Sequence, residues 1–91
     1  MNEKVYVLLD IVDGKAEQVV QVLQEIPGVL MVDALEGPPD IVVVIEAPER
    51  EQLVKWTIEA LSSVEMLTEQ VHLLPIRDGS YRIATKLRPT R

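Results

Sequence analysis

Seven residues in mid-chain, Ile41-Val42-Val43-Val44-Ile45-Glu46-Ala47, restrict the fold more than any other stretch. Five consecutive β-branched aliphatics are stiff at χ1 and favour a pleated strand over a helix. Successive side chains in a strand point to opposite faces, so Ile41, Val43 and Ile45 share one side and Val42 and Val44 the other. A strand that is apolar on both sides belongs in the middle of a sheet. The run from Tyr6 to Val12 has the same character: Val5, Val7, Leu9 and Ile11 fall on one face, and Tyr6, Leu8, Asp10 and Val12 on the other. Two other segments read as strands but carry more polar groups. Val29 to Leu35 includes Asp33, and a stretch from Val64 or Met66 to Leu74, closed by Pro75, includes Thr68, Glu69, Gln70 and His72. These are the edges.

Helical periodicity fills the gaps. Asp13-Gly14 ends the first strand and offers a cap for a helix from Lys15 to about Glu25. Ala16, Val19, Val20, Leu23 and Ile26 make its buried stripe, and Pro27-Gly28 stops it. A second helix starts at Pro48-Glu49-Arg50-Glu51, buries Leu53, Trp56, Thr57, Ala60 and Leu61, and ends at Ser62-Ser63. Met31 and Met66 read as core fillers and Trp56 as helix packing. The order is βαββαβ in two similar halves, which is an α+β, ferredoxin-like split βαβ sandwich. Right-handed crossovers predict strand order 4-1-3-2 with the first and third strands central and parallel to each other, in a four-stranded sheet that is otherwise antiparallel. Both helices lie on one face. The other face of the third strand is then a bare aliphatic surface that needs a partner, and the simplest partner is a second copy packed sheet to sheet about a two-fold axis.

The chain has 91 residues, enough for one domain, assigned here to 1–76 with a basic C-terminal arm at 77–91. It has no Cys, which excludes disulfides, thiol catalysis and thiolate metal sites. No apolar run reaches the ~18–20 residues of a membrane span, and Met1-Asn2-Glu3-Lys4 opens straight into strand-like sequence, so a cytoplasmic location is expected. Charge is uneven. Residues 1–74 hold fourteen acids and four bases; residues 75–91 hold one acid and five bases, Arg77, Arg82, Lys86, Arg88 and Arg91. An acidic body argues against direct nucleic-acid binding. The arm reads as a solvated segment or as a contact for an acidic neighbour such as another copy of the body.

Few residues suggest chemistry. His72 is the single His, with Gln70 and Leu74 on its strand face, and neither can orient it as a base or share a metal. Asp10 and Asp13 are three apart and so lie on opposite strand faces. No catalytic residue, metal site or cofactor is expected. The best candidate is the loop Gly37-Pro38-Pro39-Asp40 between the second and third strands. The prolines fix two φ angles and remove two donors, and Gly37 lets a ligand approach its backbone. Asp40 supplies a carboxylate. A backbone N–H for a carboxylate and an Asp for an ammonium are what an α-amino acid needs; a hairpin turn whose Asp caps the strand end is the plainer alternative.

The succession helix, Pro27-Gly28-Val29, apolar strand, Gly37-Pro38-Pro39-Asp40, aliphatic strand and second helix resembles the effector-binding domain of the leucine-responsive/asparagine (Lrp/AsnC) transcription regulators, also called the RAM domain. The likeness spans roughly residues 4–76, with Gly28 and Gly37 nine apart and Asp40 closing a Gly-x-x-Asp motif. It implies a sheet-to-sheet dimer, rings of dimers, and an amino acid or related effector bound where dimers meet, with Gly37 and Asp40 at the site. Thr68 is carried over from threonines of the family's fourth strand. Two departures stand out: Ser63-Val64 replaces the family's Gly-Val, and Pro39 stands where an aromatic is common. The resemblance further implies a stand-alone form without the DNA-binding domain, acting as a non-enzymatic sensing module linked to transcription. The alternatives are an adaptor oligomer that co-assembles with a full-length regulator and, less favoured, an enzyme of the dimeric α/β-barrel type.

Overall fold

The structure, a computed structural model, describes residues 2–76, so the expectations for 77–91 lie outside the described residues. Seven elements follow in order: β1 (Glu3–Ile11), α1 (Ala16–Leu23), β2 (Val29–Ala34), β3 (Ile41–Ala47), α2 (Arg50–Ser63), a 3-10 turn (Glu65–Leu67) and β4 (Thr68–Ile76). The sheet order is β2-β3-β1-β4, the expected 4-1-3-2 read from the other edge. The result is the ferredoxin-like α+β sandwich that the strand and helix pattern predicts.

One detail of the topology is corrected. β1 and β3 are central but antiparallel, with Val5 opposite Ile45, Val7 opposite Val43 and Leu9 opposite Ile41. The crossover through α1 returns β2 in the direction of β1, and the β2–β3 hairpin then reverses the chain. The strand between β1 and β2 therefore opposes both, and every neighbouring pair in the sheet is antiparallel.

The register fixes which face is which. Val5, Val7, Leu9 and Ile11 from β1 and Ile41, Val43, Ile45 and Ala47 from β3 are buried with Val19 and Leu23 of α1, Leu53 and Ala60 of α2, and Val64. Burying each large aliphatic stabilises by roughly 1.5–3 kcal/mol, so this aliphatic layer dominates the fold. The opposite face carries the rows Met31–Val44–Tyr6–Leu74 and Asp33–Val42–Leu8–His72. No helix covers it. Tyr6 and Met31 are exposed, while Val44, flanked by them across the strands, is only 6% exposed. The bare apolar face is therefore the Val42/Val44 face.

Boundaries shift where side chains compete with periodicity. α1 is shorter than expected, and its N-cap position is Lys15, with no side-chain cap. β4 begins at Thr68, because Val64 to Leu67 forms a tight turn in which Leu67 N–H donates to Val64 O, and it runs through Pro75 to Ile76. Within that turn Met66 points outward at 90% exposure, so it fills no core. Trp56 packs against the core cluster, as its place on the helical stripe suggests. Its ring lies over Gly28, where a Cβ would run into it. Gly28 has φ +84°, and Glu46 N–H donates to its carbonyl at 2.8 Å. Only glycine meets both demands, the left-handed backbone and the close ring.

Candidate functional site

The β2–β3 loop stands at the end of the sheet where β1 finishes and β4 starts. Leu35 N–H donates to Asp40 O at 2.7 Å, closing the loop across its neck. Asp40 N–H donates to Leu9 O at 2.8 Å, continuing the β1–β3 ladder by one rung. The Asp40 side chain is engaged separately, with Oδ2 accepting the Ile11 N–H at 2.8 Å. Here β1 shifts register against β4 between Asp10 and Ile11, so the Ile11 N–H needs an acceptor beyond the regular ladder. Asp40 Oδ1 makes no hydrogen bond among the described residues. The carboxylate is thus held by one oxygen, half-buried, and free at the other.

Gly37 lies at the loop's tip with φ +80°, exposed, and a Cβ built there would meet nothing within 4 Å. The Pro38–Pro39 peptide bond is cis. Thr68 pairs with Ile11 from the β4 side, and its Oγ1 donates to Val64 O at 2.8 Å, which fixes the turn into β4. Asp40 and Thr68 therefore flank Ile11, one bonded to its amide and the other opposite it in the ladder. Gly37 stands off in solvent on the β2–β3 side.

Gly37 and Asp40 line none of the depressions beside Thr68 and along α2. Thr68 borders a shallow one of about 350 Å³ with Leu61, Ser62, Glu65, Glu69, Gln70 and Val71, away from Gly37 and Asp40. Another, about 610 Å³, is an open stretch beside the first turn of α2, lined by Pro48, Glu49, Glu51, Gln52 and Lys55. His72 is exposed on the open face opposite Leu8, with Asp33 two strands further across the same row. Sequence reasoning missed the Ile11 amide, because a register shift inside β1 has no signature in a run of apolar residues. It also missed an apolar groove of about 400 Å³ beside α2, lined by Val5, Leu53, Val54, Ile58, Leu61 and Leu73 among others.

No protein-family model and no curated protein matches the sequence. Solved structures do share its fold. The Thermus thermophilus protein TTHA0845 superposes with a TM-score of 0.74 at 21% identity, over 85% of this chain and 95% of that one. An AsnC-family transcriptional regulator from Agrobacterium tumefaciens does so with a TM-score of 0.69 at 12% identity, over 85% of this chain and 51% of its own. The Neisseria meningitidis transcriptional regulator NMB0573, solved as a complex with L-Met, follows with 0.66 at 14%, again over 85% and 51%. This chain spans about half the length of those two regulators. What is common at these identities is the fold, one that AsnC-family transcriptional regulators also have.

Proposed function

We propose that this chain is an oligomeric sensing module for an amino acid or related metabolite, linked to transcriptional regulation and without catalytic activity of its own. The observation that carries the reading is the placement of Asp40 and Thr68 on either side of Ile11, with Gly37 at the open tip of the same loop. A carboxylate fixed through one oxygen presents the other to an ammonium, and a fixed group loses little entropy on binding. The AsnC-family fold, and the L-Met complex of one regulator that has it, support an effector of this class. The bare face of Tyr6, Leu8, Met31, Val42 and Val44 supports self-association through the sheets. Gly37 stands apart from Asp40 and Thr68 in the single chain, which supports an effector site completed between chains, where dimers meet in a ring. The lack of a membrane-spanning helix among the described residues is compatible with a cytoplasmic place of action.

The test is a thermal-shift screen of the twenty amino acids, followed by calorimetry on any hit. A ligand at 100 times its Kd stabilises by about 2.7 kcal/mol, a shift of many degrees for a domain of this size. Asp40→Asn keeps an acceptor for the Ile11 amide but removes the charge an ammonium needs. It should fold and assemble normally and lose at least tenfold in affinity. A response equal to that of the parent chain refutes the site. A second reading, an adaptor that co-assembles with a full-length regulator, rests on the same shared fold. Mixed oligomers on native mass spectrometry would identify it.

A further inference from the structure

Two titratable side chains stand at opposite ends of one row on the open face of the sheet. The register sets Asp33 of β2, Val42 of β3, Leu8 of β1 and His72 of β4 side by side. Asp33 and His72 are exposed, and Val42 and Leu8 lie half-buried between them. Strands lie about 4.8 Å apart, so the two ends are separated by roughly 14 Å and cannot meet within one chain. The neighbouring row, Met31, Val44, Tyr6 and Leu74, is apolar apart from the Tyr hydroxyl. His72 sits opposite Leu8, between Gln70 and Leu74 of its own strand, with Tyr6 and Asp10 as its diagonal neighbours on β1. Asp33 sits opposite Val42, between Met31 and Leu35. The other charged groups of this face stand beyond the two rows, Lys4 and Glu46 toward one end of the sheet, Asp10 and Asp40 toward the other, with Asp40 Oδ2 tied to the Ile11 N–H.

We propose that a second copy of this chain packs on this face with the two-fold axis running along the strands, so that Asp33 of each copy pairs with His72 of the other. The inference rests on the self-association through the sheets read above and adds its orientation. A two-fold axis that relates facing sheets lies in the plane between them. Running along the strands, it keeps each row at its own height and reverses the order of the strands, so β2 of one copy lies over β4 of the other. The row from Asp33 to His72 then meets the same row reversed. Both ends become Asp–His pairs, and Val42 meets Leu8 in the middle. In the adjoining row Met31 meets Leu74 and Val44 meets Tyr6, apolar against apolar. Facing sheets stack about 10 Å apart, a gap that an Asp and a His side chain span when they reach toward each other. An axis across the strands would instead set β2 over β2 and β4 over β4. Asp33 would then meet Met31 or its own copy, and His72 would meet Leu74 or its own copy, so no complementary pair forms. The pairing also gives the contact a pH sense. Histidine is the side chain that changes charge between about pH 5 and 8. Its cationic form is the one that attracts Asp33, so the assembled state holds protons that the free chain releases, and association strengthens as pH falls.

The chain has no Cys, so single substitutions place unique thiols. Facing sheets stand about 10 Å apart, too far for a disulfide, whose Cα atoms lie within about 7 Å of each other. A short bismaleimide is therefore the probe. Full-length Asp33→Cys and His72→Cys chains, refolded together from urea, should cross-link between chains at least tenfold faster than either variant alone. Faster cross-linking in the single-variant samples sets β2 over β2 or β4 over β4 and overturns the orientation. Equally slow cross-linking in all three, with light scattering still reporting a dimer, overturns the contact on this face. A monomer in every sample refutes the underlying self-association as well, so the measured mass tells the two failures apart. Charge reversal is the independent check. His72→Asp should weaken association at least tenfold, and adding Asp33→His should restore it; a double variant no tighter than His72→Asp overturns the pairing. The parent Kd for association should tighten at least threefold from pH 8 to pH 6, and His72→Gln should remove the change. A parent Kd that does not vary with pH also overturns the pairing. Neither readout involves an effector, so the sensing role is judged separately.

Discussion

Replacing Gly28 with Ala probes the close approach of the Trp56 ring to the backbone. Two costs act together. An L-residue at φ +84° is strained by about 1–2 kcal/mol. The new Cβ also overlaps the Trp56 ring and lies 2.9 Å from the Glu46 carbonyl oxygen, inside van der Waals contact. Overpacking of this kind costs about 1–3 kcal/mol. Ala offsets part of the total by about 0.4–1 kcal/mol, because it narrows the unfolded ensemble. The net loss should be about 2–4 kcal/mol. Gly37→Ala is the matched control: its φ is +80°, but a Cβ there meets nothing within 4 Å, so it bears the backbone strain alone and should cost about 1 kcal/mol or less. Urea unfolding at a fixed protomer concentration, followed by circular dichroism, measures both; concentration matters because self-association shifts apparent stability. For a domain of this size the difference amounts to roughly 4–8 °C in Tm per kcal/mol. Adding Trp56→Leu to Gly28→Ala should recover part of the loss as a coupling energy of about 0.5 kcal/mol or more, as expected for residues in contact. Equal losses at Gly28 and Gly37, within about 0.5 kcal/mol, would show that the ring does not press on this backbone and refute the packing argument.

Met31→Glu puts a charge on the open sheet face at a position already exposed in the single chain, so the fold should survive while the assembly falls to a monomer. Light scattering at micromolar concentration checks this, and an unchanged mass places the contact elsewhere. Asp40→Ala leaves the Ile11 amide without its acceptor and should cost about 1–3 kcal/mol in urea unfolding, with Asp40→Asn losing less than half as much. Equal losses would mean that the charge, and not the hydrogen bond, is what matters there. Met66→Gln should change stability by no more than about 0.5 kcal/mol, since the side chain is almost fully exposed; a core-sized loss in thermal melts would restore Met66 to the interior.

The architecture was legible because aliphatic patterning is a local signal. Runs apolar on both faces at Val5–Ile11 and Ile41–Ala47 mark central strands, and the stripes at Val19/Leu23 and Leu53/Ala60 mark two helices on one side. Strand direction was misread at β1–β3, because it depends on counting reversals along the chain and not on any residue. The start of β4 was misread because Val64 is buried and looks like a strand residue, although the turn that follows it is closed by Thr68 and Leu67 bonding back to its carbonyl. The contact of Trp56 with Gly28 joins residues 28 positions apart, and no periodicity reports it.

Asp40 shows most clearly why a site is harder to read than a fold. In the sequence it is an acid at a strand start after a stiff loop, which suits either a ligand or a cap. The structure gives it a cap's role, tying β1 to the hairpin where the β1–β4 register slips. That role does not compete with binding. Ile11 uses Oδ2 only, and fixing one oxygen sets the direction of the other, so the same hydrogen bond that stabilises the sheet end also preorganises a carboxylate. Thr68 is fastened in the same manner, its hydroxyl spent on Val64 while its backbone sits opposite Ile11. Both groups are thus held rigidly on one short segment of β1, whereas Gly37 stands free. An effector that bridges them must reach from an ordered sheet end to an open loop tip. In the proposed assembly, a chain of a neighbouring dimer would supply the missing wall.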